Sequence, residues 1–110
     1  MTKGMKRFKN FISENGTIKQ WPSKSLLKQM ALIYIWNKLD QDRTYTSKEI
    51  SETIDSMIEF EDFALTRREL FDRGYLDRTA DGSEYRVKQK KLNINEQEIL
   101  NFLDGPYIVL

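Results

Sequence analysis

Four groups of residues in this chain have types and spacing that could do chemistry. Two are cationic, the pair Arg67-Arg68 and the run Arg86-Val87-Lys88-Gln89-Lys90-Lys91; two are acidic, Asp40-x-Asp42 and Glu59-x-Glu61-Asp62. Guanidinium and ammonium groups neutralise phosphate, so the cationic groups point toward nucleic acid. Paired carboxylates can hydrolyse glycosides or hold a cation. Asp40-x-Asp42, however, lacks the Gly and the distal Glu of a calcium loop, and turn and capping roles account for both acidic groups. The chain has no His and no Cys. Disulfides, thiolate or imidazole metal sites, Cys nucleophiles and every triad built on an imidazole base are thereby excluded. It has no Gly-rich phosphate loop either. The reading is a non-catalytic protein with no metal and no cofactor.

The elements that must position these residues come from one ordinary domain's length, 110 residues. Hydrophobic residues make up 39% and charged residues 32%, and thirteen aromatic side chains argue for a packed core over disorder. The net charge of +1 conceals an asymmetry. Residues 1–36 hold seven Lys/Arg and one Glu, residues 37–72 five basic and ten acidic side chains, and residues 73–110 six of each. An anionic partner should meet the N-terminal third (Lys3, Lys6, Arg7, Lys9) or the run 86–91, and not the middle. The longest apolar run, Met30 to Trp36, is far short of the ~20 residues that span a bilayer. The basic start is followed by no apolar stretch and no cleavage site, so no signal peptide is expected and the protein reads as cytoplasmic.

Periodicity predicts an N-terminal helix over 5–13, stopped by Asn15-Gly16, and a short extended piece from Thr17 to Trp21. Ser23 is the expected cap of a central buried helix reaching about Leu39, followed by a turn at Asp40–Arg43 and an extended stub at Thr44-Tyr45. Thr46 and Glu49 form a capping box for a second helix carrying Ile50, Ile54, Met57 and Ile58. Asp62 caps a third, 63–73, which Gly74 ends. Tyr75–Thr79 and Ser83–Lys88 read as a hairpin around Ala80-Asp81-Gly82. Asn95 with Glu98 is expected to cap a last helix, within a C-terminal helix and tail over 92–110. The fold class is α+β, mainly α, a single domain with a winged helix-turn-helix-like core over about 22–88; in that architecture the third helix and the hairpin usually meet DNA.

The segment Arg67-Arg68-Glu69-Leu70-Phe71-Asp72-Arg73-Gly74-Tyr75-Leu76-Asp77-Arg78, followed by Asp81-Gly82-Ser83-Glu84-Tyr85, resembles the signature of the domain of unknown function 2087 family. Gly16-Thr17-Ile18, Trp21-Pro22-Ser23-Lys24 and Tyr45-Thr46-Ser47-Lys48-Glu49-Ile50 resemble its upstream motifs. The resemblance covers about residues 8–87; Thr66 stands where the family pattern has an aliphatic residue. It implies a winged-helix-like bacterial domain, found alone or attached to DNA-binding regulators.

A helical projection at ~100° per residue puts Phe63, Thr66, Leu70 and Phe71 around the buried direction. Arg67 falls inside that arc and reads as a structural guanidinium held by a carboxylate or by carbonyls, like Tyr45, Gly74 and Gly82 a residue of the scaffold. Arg68 points outward beside Leu65, Glu69 and Asp72, so the third helix presents a poor face to phosphate. Arg68, Arg86, Lys88, Lys90 and Lys91 are the candidate nucleic-acid contacts; for the 86–91 run, a solvated strand end fits as well as a phosphate track. The apolar C-terminal helix and tail suggest a core plug or a protein or homodimer interface. Two functions follow: a transcription-related regulator contacting DNA through its wing, or a protein-interaction module that has lost the DNA surface.

Overall fold

The structure, a computed structural model, describes residues 2–89 and 91–104. The N-terminal segment is one α-helical turn, α1 (Thr2–Met5), running into a 3-10 helix (Lys6–Phe11) rather than the continuous α-helix expected over 5–13. Its anchors Met5 and Phe8 are buried all the same, and Phe8 meets Tyr34 edge-on with ring centroids 5.7 Å apart. Gly16, at φ 83°, reverses the chain, and Tyr34 donates its hydroxyl proton to the Gly16 carbonyl at 2.8 Å. Ile18 then bridges Ile12 and Ile58.

The second helix, α2 (Ser25–Lys38), is the centre of the core. Every residue from Met30 to Trp36 is buried, so the helix is enclosed on all sides. It begins two residues after Ser23, and no side chain caps it. Tyr45 lies in β1 (Thr44–Thr46), buried, with its hydroxyl oxygen accepting from the Asp40 amide at 3.0 Å. The capping box forms as expected, opening α3 (Ser47–Ser56). Asp62 accepts from the Leu65 amide at the start of α4 (Phe63–Asp72), and Gly74, at φ 83°, lets the chain leave that helix.

β2 (Leu76–Arg78) and β3 (Glu84–Val87) make the hairpin, and β1 adds to β3, giving the antiparallel order β1-β3-β2. Tyr45 faces Tyr85 and Leu76 faces Val87, so these four side chains form the inner surface of the sheet; Thr44, Asp77 and Arg86 lie in one row on the outer surface. The last helix, α5 (Ile94–Leu103), is capped by Asn93 with Glu96, two residues earlier than Asn95 with Glu98. Both pairs satisfy the N-x-x-E pattern. The first is selected because it delivers Glu96 to Tyr75, which donates to its carboxylate at 2.6 Å in the interior. Ile99, Phe102 and Leu103 are buried, with α5 lying against α2 and α1. No helix among the described residues is long and apolar enough to cross a membrane.

Candidate nucleic-acid interface

On α4 the buried line is Thr66 and Leu70, which are 1% and 0% exposed. Thr66 takes the place of an aliphatic residue because its hydroxyl is turned inward onto its own helix, donating to the Asp62 carbonyl at 3.0 Å. Phe63, expected inside, is 36% exposed, because the first turn of α4 runs past the edge of the core. Arg67 is half-buried, as its position in the arc implies, but neither a carboxylate nor a carbonyl holds it: its Nη1 donates to Ser51 Oγ at 2.7 Å and its guanidinium lies over the Tyr85 ring at 5.6 Å. This couples α3, α4 and the inner face of β3.

Arg68 is exposed and sits 3.7 Å from Asp72, one turn on. Arg73 is tied to Glu69 at 2.9 Å, and Arg43 reaches Glu49 at 2.6 Å. Glu49 is held below the ordinary carboxylate range, first by the Thr46 amide and then by Arg43. Residues 49–62, which span most of α3 and the connection to α4, contain six carboxylates and no Lys or Arg. On the outward face of α4 the cation Arg68 is matched by Asp72, whereas a helix lying among phosphates carries an excess of positive charge.

Arg86 stands on the outer sheet surface, flanked across the ladder by Thr44 and Asp77. With Arg78, Thr79 and Glu84 these residues line a shallow hollow of about 300 Å³ whose charges are mixed. Lys88 and Lys91 are exposed beyond the end of β3, at the opposite end of the strand from the hairpin tip. The tip itself carries Asp81, whose carboxylate accepts from the Ser83 amide at 3.0 Å and from the Ser83 and Thr79 hydroxyls. Those donors, the Ser83 amide foremost, hold its pKa at about 2. Gly82 supplies the positive φ, 74°, that closes the tip. Arg86, Lys88 and Lys91 thus lie toward the base of the hairpin, and the tip is anionic. The backbone of Lys88 is fixed by the Trp36 indole, which donates to its carbonyl at 3.2 Å, while no ion pair engages Arg86, Lys88 or Lys91 among the described residues. Lys90 and the apolar tail 105–110 lie outside the described residues, as does the side chain of Lys3.

Arg7 shares a second hollow, of about 350 Å³, with Ser23 and Lys24 at the start of α2. Lys91 lies beside Trp36, near the other end of that helix. At ~1.5 Å per residue, about 18 Å of helix separates the two cationic regions, which are therefore distinct patches.

Residues 17–87 match the model of a family described as "Uncharacterized protein conserved in bacteria (DUF2087)". The chain belongs to this family. No curated protein and no solved structure matches it. The DUF2087 region runs from the Ile18 bridge through α2 to the end of β3; α1, the 3-10 helix and α5 lie outside it. Arg67, Arg68, Tyr45, Gly74, Gly82 and Arg86 fall within it, and Lys88 and Lys91 just beyond. The Tyr75–Glu96 bond, absent from the reading of the sequence, joins the DUF2087 region to α5. Its one sequence signal is the earlier of the two N-x-x-E pairs.

Proposed function

We propose that this chain is a non-catalytic, winged-helix-like module of a transcription-related regulator, and that it works by binding protein rather than by reading DNA. The order α2-β1-α3-α4-β2-β3 and the sheet order β1-β3-β2 support the winged-helix assignment, with α4 in the place of a recognition helix. The observation that carries the functional reading is the charge of that helix. Its outward residues Ala64, Leu65, Arg68 and Asp72 present one cation already paired with a carboxylate, beside the exposed acids Glu61 and Asp62. The cationic patches are two and separate, and the hairpin tip bears Asp81. The test is fluorescence anisotropy with a random-sequence duplex at low salt. No binding is expected; tight binding with a steep salt dependence overturns the reading.

The exposed ledge Arg86-Lys88-Lys91, free of ion pairs among the described residues, favours a second reading in which the base of the hairpin touches a phosphate backbone. That reading predicts salt-sensitive duplex binding lost on charge reversal at Lys88 and Lys91.

A further inference from the structure

The face of α2 turned toward α5 is as apolar as the face turned toward α4, because Met30 to Trp36 are buried all round. Yet only one of these covers, α4, belongs to the DUF2087 region; α5 and α1 are supplied by segments outside it. A helix with apolar residues on every side cannot leave one side in water, so this face requires an occupant. The occupant here is held by chemistry more selective than apolar contact. Tyr75, inside the family region, donates to the buried Glu96 carboxylate at 2.6 Å, and the same carboxylate accepts from the Asn93 amide at 3.0 Å. Glu96 is 2% exposed. An apolar residue of similar size would seat a permanent helix without the desolvation cost of a carboxylate, whereas a hydroxyl socket fixes which helix fits and in which register. At the far end only Asn37 and Asp104, 3.4 Å apart and exposed, join the two helices by a polar contact among the described residues.

We propose that the surface formed by α2 and Tyr75 is a helix-docking site, that α5 occupies it in cis as a removable strap, and that a partner protein's helix of the same pattern replaces it. The pattern is that of α5 itself: a first-turn carboxylate followed by apolar residues three, six and seven positions on, as Glu96 is followed by Ile99, Phe102 and Leu103. This rests on the protein-binding reading and names its surface and its ligand. α5 leaves without breaking any strand pairing, since β1, β2 and β3 all lie before it in the chain.

Amide hydrogen exchange on the intact chain tests the strap. Amides of α5 should exchange roughly tenfold or more faster than those of α2, through an opening that leaves the rest folded. Tyr75→Phe should lower α5 protection by roughly a further tenfold and leave α3 and α4 unchanged. Equal protection of α5 and α2, or a uniform loss in Tyr75→Phe, overturns the strap. A second measurement tests the site. The full chain bearing Ile99→Ala, which weakens the strap and keeps Tyr75, is titrated with a synthetic peptide of residues 91–104 and followed by NMR. Shifts at α2 and Tyr75, lost with a peptide carrying Glu96→Gln, are expected; no shifts, or shifts on another surface, overturn the docking site. Duplex binding by a chain that passes both tests would sink the protein-only reading alone.

Discussion

Arg67 Nη1 donates to Ser51 Oγ at 2.7 Å, locking α4 against α3 while the guanidinium plane covers the Tyr85 ring of the sheet. The first half of the family's double Arg is thus a brace between three elements. Only its neighbour Arg68 faces solvent, and Asp72 occupies that one.

Replacing Arg67 by Ala should therefore destabilise the fold by about 2–4 kcal/mol, the sum expected for one charged hydrogen bond and one cation–π contact. Lys at this position should recover less than half, because an ammonium cannot both cover the ring and reach Ser51 with a planar fork. Arg68→Ala should change stability by only a few tenths of a kcal/mol, as expected for an exposed pair. Urea unfolding measures all three; an Arg68 effect equal to that of Arg67 would remove the distinction.

Thr46→Ala should cost about 1 kcal/mol, since it leaves the Glu49 amide without its cap. Glu49 adds a pH dependence of known sign. Its carboxyl is held below its usual 4.5, so its contribution is complete above that value and fades as pH falls through the lowered one. Denaturant midpoints of wild type and Glu49→Gln should converge in acid, while the deficit of Thr46→Ala persists, because the Thr46 hydroxyl does not titrate.

What the sequence made legible was local. The Thr46–Glu49 box, the Asp62 cap and the glycines at 74 and 82 each depend on chemistry within four residues, and each appears where expected. What it hid was decided at a distance. Choosing Asn93 over Asn95 as a cap requires Tyr75, and choosing a hydroxyl over a carboxylate for Arg67 requires knowing that Ser51 lies opposite. Phe63 fits the helical arc perfectly well; it is exposed because the core ends before the helix does. The run 86–91 was legible as the strand end away from the 80–82 turn, and β3 ends at Val87, one residue before the expected Lys88.

Asp81 should organise the hairpin tip down to unusually low pH. Its pKa of about 2 lies below the ordinary 3.8, so the tip's stabilisation is complete above 3.8 and is lost as pH falls toward 2. The Ser83 amide resonance should move with that midpoint. Asp81→Asn should weaken the sensitivity, and a midpoint near 4 in the wild type would show that the three donors do not act together on the carboxylate.

The cationic run 86–91 sets an upper limit on the grip that the base of the hairpin alone can have on DNA. If Arg86, Lys88, Lys90 and Lys91 each displaced one counterion, the slope of log K against log salt would be about −3.6, a loss of about 150-fold between 50 and 200 mM. A recognition helix adding its own phosphate contacts would bring the number to between about six and ten, and the loss to a thousandfold or more. A slope steeper than −4 therefore requires a second surface, and on α4 that would have to be Arg68, which sits 3.7 Å from Asp72. Lys88→Glu with Lys91→Glu should abolish whatever duplex binding exists, while Arg68→Ala should leave both affinity and slope unchanged. Loss of binding in Arg68→Ala would return α4 to the role of a recognition helix, because Arg68 could then reach phosphate only by giving up Asp72.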